Sequence, residues 1–156
     1  MFLFSRHKIE VPELPGFNAP KYMGCWYEIA RLDHPFEKGL QRVTACYSLR
    51  YNGKISVLNR GYSPTKSKWQ EAKAVAVQTG VKNFLKVYFV PLFGGKYRVA
   101  YVDDAYSLAV VSGGNLRYLW LLARTPHPTP EQVGKMLEEA RKLGYDTSKL
   151  TYPEQE

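Results

Sequence analysis

Asn18-Ala19-Pro20-Lys21-Tyr22-Met23-Gly24-Cys25-Trp26-Tyr27-Glu28-Ile29-Ala30-Arg31 is the stretch that decides the fold. Asn, Pro and Gly punctuate the approach, and the residues after Gly24 alternate as a strand does. Side chains along a strand point to opposite faces in turn. An inward Trp26 therefore places Glu28 and Ala30 on its face, and Tyr27 and Ile29 on the other. A large aromatic at the start of a strand, followed inward by smaller residues, suits a barrel plugged at one end and open at the other.

Downstream, short strands recur at near-regular spacing. They are read at about 25–31, 41–51, 54–61, 68–78, 83–90, 96–102, 105–111 and 117–124. Tyr51-Asn52-Gly53-Lys54 predicts a type I′ hairpin. Ser63-Pro64-Thr65-Lys66, Thr79-Gly80, Phe93-Gly94-Gly95, Asp103-Asp104 and Ser112-Gly113-Gly114-Asn115 supply further turns. Only the first connection, about 32–40, is long. The pattern is an all-β, eight-stranded antiparallel up-and-down β-barrel, a strand number that closes around one small ligand. Leu119-Trp120-Leu121-Leu122-Ala123 is apolar on both faces, so both are expected to be covered. The cover follows: Thr129-Pro130-Glu131-Gln132 carries a capping box with Pro at the first helical position. Val133, Met136, Leu137, Ala140 and Leu143 then keep helical spacing up to Gly144. One C-terminal α-helix is thus predicted outside the barrel. Residues 1–17, with Pro12, Pro15 and Gly16, read as an extended N-terminal arm before a domain at 18–152.

The chain of 156 residues carries a formal charge of +8. Its Lys and Arg residues are scattered as on a solvated surface, and no nucleic acid partner is expected. Peripheral contact with anionic lipid stays open, as does a homodimer. No apolar run approaches the roughly 18 residues of a membrane-spanning helix. Met1-Phe2-Leu3-Phe4 is too short for a signal core and is followed by Arg6, His7, Lys8 and Glu10. The expectation is a cytoplasmic chain as written, or a periplasmic, outer-membrane-associated one if an upstream lipoprotein signal was removed. Cys25 and Cys46 fall on outward positions, and a hairpin centred near Phe36 sets them roughly opposite. Cross-strand Cβ atoms lie about 4.5–5.5 Å apart, whereas a disulfide wants about 3.8 Å. Two buried thiols are expected, with a strained bridge as the alternative.

Catalytic and cofactor signatures are missing: no Gly-x-Ser-x-Gly, phosphate loop, Gly-x-Gly-x-x-Gly, His-Glu-x-x-His or Cys-x-x-Cys occurs. His7, His34 and His127 are scattered, so no metal site and no cofactor are expected. A lined cavity is expected instead. Ala72, Ala74 and Ala76 share one face of a strand and leave volume. Val43, Tyr47, Leu85, Val87, Phe89, Tyr97, Val99 and Tyr101 come from neighbouring strands, and His34, Phe36 and Leu40 sit in the long loop as a lid. This is an apolar pocket with a few polar tips.

Three stretches together resemble the lipocalin family, in its bacterial and apolipoprotein D-like branch. They are Gly24-Cys25-Trp26, Asp103-Asp104-Ala105-Tyr106, and Arg124 within Leu121-Leu122-Ala123-Arg124-Thr125-Pro126. The runs Trp26–His34, Val43–Leu49, Asn59-Arg60-Gly61-Tyr62 and Tyr118–Pro126 carry the same look, so the resemblance spans about 18–152. It implies that Arg124 packs on Trp26 at the closed end. It implies binding and transport or storage of a small hydrophobic ligand, a fatty acid or lysophospholipid, and no enzyme. Haem or another tetrapyrrole is the alternative ligand, and an enzyme acting on a lipid or other hydrophobic substrate inside the barrel is the second alternative. Branch members often begin at an acylated Cys, for which Cys25, inside a strand, cannot substitute.

Overall fold

The alternation is realised as a closed meander. In the computed structural model, which describes residues 8–89 and 94–156, eight antiparallel strands follow one another. They are β1 (Gly24–Leu32), β2 (Gln41–Leu49), β3 (Ile55–Ser63), β4 (Lys68–Gln78), β5 (Phe84–Phe89), β6 (Gly94–Val102), β7 (Leu108–Ser112) and β8 (Leu119–Ala123). β1 pairs with both β2 and β8 and closes the barrel. Helix α1 (Ala19–Tyr22) precedes β1, helix α2 (Pro130–Leu143) follows β8, and a two-residue strand β9 (Leu150–Thr151) comes last. His7, the start of the arm and the Phe93 end of one expected turn lie outside the described residues.

Every strand has an apolar inner face, and β1, β6, β7 and β8 have an apolar outer face as well. Trp26, Ala45, Tyr47, Val57, Ala74, Ala76, Leu85, Val87, Val99 and Val111 pack together inside. Ile29, Ala30, Leu108, Val110, Leu119, Leu121 and Ala123 form the outer layer beneath Met136 and Ala140 of α2, with Ile9 and Val11 packed against it. The two faces of β8 are therefore both covered. The α2 capping box forms, and Gly144 ends the helix at φ 107°.

Three register shifts interrupt the ladders, one of them between Gln41 and Thr44 at the start of β2, and the other two overturn an expected face. One lies between Glu28 and Ala30 and sends Ala30 to the outer layer, not to the face of Trp26. The other lies between Val99 and Tyr101. An inserted residue leaves two successive side chains on one face. The hairpin at 50–54 also differs from the type I′ expectation. Gly53 N–H donates to the Arg50 carbonyl at 3.0 Å, so Tyr51 and Asn52 are the central residues, and the left-handed residue is Gly53, at φ 83°, which follows them. That is a three-residue loop ending in a glycine bulge.

Cys25 and Cys46 are directly paired and joined in a disulfide, not left as thiols. Their Cα atoms approach to 4.0 Å, closer than the ~4.5 Å of an ordinary close pair, which removes the expected misfit. Above this bridge the seam between β1 and β2 opens. β1 pairs with β2 from Gly24 to Tyr27, then with β9 at Arg31 and Leu32. The Gln155 side-chain amide donates to the carbonyls of Glu28 (2.8 Å) and Val43 (3.1 Å), and Arg42 N–H donates to the Glu154 carbonyl (2.7 Å). The C-terminal segment thus wedges into the seam.

Candidate functional site

The closed end is a cap on Trp26. Its indole is fully buried and donates to the Tyr22 carbonyl at 2.9 Å. The Arg124 guanidinium lies 3.8 Å from the Trp26 ring centroid, within cation–π range. It donates to the carbonyls of Lys21, Met23, Cys25 and Tyr106 at 2.8–3.1 Å. Gly24, at φ 98°, is required there, because a Cβ would stand 3.2 Å from Arg124 Nη1. Asp103 accepts from the backbone N–H groups of Ser107 and Leu108, and the Tyr106 hydroxyl accepts from Asn18 N–H at 2.8 Å.

Above the cap stands a tyrosine triad. Tyr97 lies 2.6 Å from Tyr22 and 2.8 Å from Tyr47, hydroxyl to hydroxyl. Burial pushes all three phenols up, so they stay protonated and hydrogen-bonded to one another. Next comes an apolar storey in which Ala74 is paired with Val57 and Phe89, and Ala76 with Ile55 and Val87. Toward the open end Ala72 is exposed opposite Asn59, and Phe89 is 37% exposed. Leu40 and Val43 close over Gly61, whose missing Cβ would lie 3.1–3.3 Å from them.

A buried charge cluster ties down the lid, residues 33–40. The Glu28/Ala30 bulge turns Arg31 inward, and its side chain is 1% exposed. Its guanidinium donates to Glu28 Oε2 (2.9 Å), Asp33 Oδ1 (3.2 Å), and the carbonyls of Glu37 (2.8 Å) and Leu40 (3.4 Å). Burial, reinforced by the neighbouring Glu37 charge, raises the Glu28 carboxyl well above the usual carboxylate range despite Arg31. Burial works the same way on Glu37. There, hydrogen bonds from His34, Glu28 and Trp120 prevail and hold it down to about 2. Burial thus favours the proton on Glu28, while the hydrogen bonds to Glu37 favour its charge, and the two carboxyls titrate as a pair.

His34 sits beneath the lid in an aromatic box, its ring centroid 5.4–6.0 Å from those of Phe36, Tyr118 and Trp120. Its Nε2 donates to Glu37 Oε1 at 2.7 Å, and Trp120 Nε1 donates to the same oxygen at 2.9 Å. His34 Nδ1 and Glu37 Oε2 are buried with no hydrogen-bond partner among the described residues. Beside the box, a groove of about 540 Å³ runs between Leu32–Phe36, Leu116–Tyr118 and Lys149.

Of the residues expected to line the cavity, Val43, Tyr47, Ala72, Ala74, Ala76, Leu85, Val87, Phe89, Tyr97 and Val99 share the inner face. Leu40 is at the mouth, His34 is under the lid, and Phe36 stands out at 64% exposure. Tyr101 is the exception. The bulge after Val99 turns it to the outer layer, where Lys135 Nζ approaches its ring at 5.5 Å. Arg31, Glu37, Tyr118 and Trp120 were not foreseen. Charge at an outward strand position gave no signal for Arg31, whereas Trp120 shares the alternation of the inward Leu122 and was findable.

A closed eight-stranded meander, capped by Trp26 and Arg124 at one end and lidded at the other, is the calyx architecture of small-ligand-binding barrels. The chain belongs to the lipocalin-like family, whose domain description matches residues 17–155. The outer membrane lipoprotein Blc of Vibrio cholerae is 47% identical over 149 residues, which is 94% of this chain and 87% of that protein. Apolipoprotein D of Mus musculus is 32% identical over 153 residues, covering 92% and 80%. Lobster apocrustacyanin A1, at 15% identity, superposes with a TM-score of 0.75 over 94% of this chain and 91% of its own, a likeness of fold alone.

Proposed function

We propose that the barrel binds and carries one small hydrophobic ligand, a fatty acid or lysophospholipid, taken tail-first through the open end. The observation that carries this is the apolar storey of Ala74, Ala76, Val57 and Val87 between the tyrosine triad and the lid. Its small side chains share the inner face of the barrel, and the tyrosines beside it are satisfied by one another. An acyl chain would gain about 0.8 kcal/mol per buried CH₂. The head would stay near the mouth. The donors of Arg31 are already engaged, so an anionic head finds its counter-charge at the rim. His34 Nδ1, buried with no hydrogen-bond partner among the described residues, offers a hydrogen-bonding point to a neutral group. Nothing in this arrangement calls for turnover, and the reading is of a binder, not an enzyme.

The test is displacement of a fluorescent fatty acid across a chain-length series. Affinity is expected to rise by up to about fourfold per CH₂ until the storey is full, then to level off. Ala74→Trp is expected to weaken long chains more than short ones. Fatty acids should bind more tightly than the matching alcohols, by a margin that shrinks with salt. Equal affinity from short to long chains, with Ala74→Trp indistinguishable from the parent, would refute the reading.

We also infer an oxidising compartment, the bacterial periplasm at the outer membrane. The Cys25–Cys46 disulfide supports this, since such bonds are rare where thiols are kept reduced. The Vibrio cholerae relative is called an outer membrane lipoprotein. Alkylation of free thiols in intact cells tests it: protection of both cysteines is expected, and free thiols would contradict it.

A further inference from the structure

We propose that the open rim of the barrel is a docking surface for an anionic lipid bilayer, so that the mouth meets the membrane face-on. The inference rests on the reading that an amphiphile passes through this end. Two independent features of the rim carry it. The first is charge. Lys38 of the lid, Lys66 of the β3–β4 connection, Lys68 at the start of β4, Arg117 of the β7–β8 connection and Lys149 beside β9 are all exposed. None of them enters an ion pair among the described residues. The lid carboxylates Asp33 and Glu37 share Arg31, which leaves one negative charge at the lid against these cations.

The second feature is exposed apolar surface at the same end. Phe36 is 64% exposed, Trp69 38%, Phe89 37% and Leu116 37%. Phe36 and Leu116 line the 540 Å³ groove together with Arg117 and Lys149, so apolar and cationic groups share one depression, with Asp33 its one carboxylate. Trp69 lies on the outer wall just below the rim, with Arg60 over its ring at 3.8 Å and Tyr62 beside it. Such amphipathic aromatics suit the boundary between headgroups and acyl chains. A surface that combines unpaired cations with projecting apolar side chains is complementary to an anionic bilayer. The phosphates meet Lys and Arg, while Phe36 and Leu116 enter the acyl boundary. A purely polyanionic protein partner would leave the apolar half of the rim unused.

The experiment is co-sedimentation with vesicles of phosphatidylcholine containing about 30% phosphatidylglycerol, against phosphatidylcholine alone, at low and high salt. Each rim cation contributes about fivefold in partition to an anionic surface. The triple reversal Lys38→Glu, Arg117→Glu, Lys149→Glu should therefore lose at least a hundredfold. The matched triple Lys21→Glu, Lys54→Glu, Lys82→Glu alters exposed lysines at the closed end by the same net charge and should lose far less. Phe36→Ser with Leu116→Ser should abolish the fraction bound at high salt. Equal losses in the two triples would mean adhesion by net charge and overturn the proposal. So would an unchanged high-salt fraction in the serine variant, or polyglutamate binding that the serine substitutions leave intact as they leave vesicle binding intact. Fatty-acid displacement in vesicle-free buffer, run on the same proteins, separates the two readings. The rim triple also lacks the counter-charge for an acid head, so it is read with a neutral fluorescent long-chain alcohol: retained alcohol binding with lost sedimentation supports docking, whereas loss of fatty-acid displacement in the parent removes the ligand reading itself.

Discussion

Arg31→Met removes the guanidinium that holds the lid and leaves everything it served in place. The side chain is 1% exposed and bonded to Glu28, Asp33 and the carbonyls of Glu37 and Leu40. Its bond to Asp33 counts for little, because that carboxylate is 37% exposed and water replaces the partner. The buried side of the cluster matters. Glu37 would be left ionised without its nearest cation and Glu28 without its donor, which for a broken buried pair costs about 3–5 kcal/mol. The same reasoning predicts rescue. Glu28→Gln and Glu37→Gln, added to Arg31→Met, leave no buried charge to compensate and should restore at least about 2 kcal/mol of that loss. Denaturant unfolding with the disulfide intact measures both. Hydrogen exchange should show faster opening at 34–40 in the single variant, where two carbonyl anchors are gone. A single variant within about 1 kcal/mol of the parent, or a triple variant no more stable than the single, would refute the assignment of this cluster as the lid's anchor.

Three further outcomes are expected of the same fold. Glu37, held down to about 2, contributes stability that is fully present above pH about 4.5 and is lost as pH falls through about 2. Glu28 is raised, so its contribution is present below the ordinary carboxylate range and is lost as pH climbs above it. Urea midpoints across pH should therefore flatten on the acid side in Glu37→Gln and on the neutral side in Glu28→Gln; unchanged limbs would reject this description of the pair. Trp26→Ala, which removes a fully buried indole and the ring beneath Arg124, should cost about 3–5 kcal/mol in denaturant melts, and a loss under about 1 would show that the cap is dispensable. Replacing both Cys25 and Cys46 by Ala opens a cross-link between residues 21 apart and should cost about 3 kcal/mol, with unchanged midpoints as the contrary result.

Local pattern carried most of the fold because each strand alternates against water or a helix and each turn bears its own residues. The capping box at Thr129 and the Gly at 144 give the helix its start and stop without any tertiary information. The closed end was legible through resemblance, since Gly24, Trp26 and Arg124 act as one unit. What stayed hidden was set by contacts between distant segments: the tail that wedges Gln155 between Glu28 and Val43, and the close approach that joins Cys25 to Cys46.

The failures at Ala30 and Tyr101 have one cause, and it explains why the lid anchor was invisible. Period-two alternation assigns faces only while the register holds, and a single inserted residue reverses every assignment beyond it. In β6 the reversal cost one expected lining residue, Tyr101. In β1 it did more, because the residue it turned inward is an arginine. Without the bulge, Arg31 would face the outer layer beside Tyr27 and Ile29, and Ala30 would stand in its place inside. The lid would then have no cation to hold the carbonyls of Glu37 and Leu40, and Glu28 would be buried with no cation of its own strand. The bulge and the charge cluster therefore depend on each other. The inward turn is tolerable only because Glu28 and the lid carbonyls receive the guanidinium, and the lid is held only because the turn delivers it.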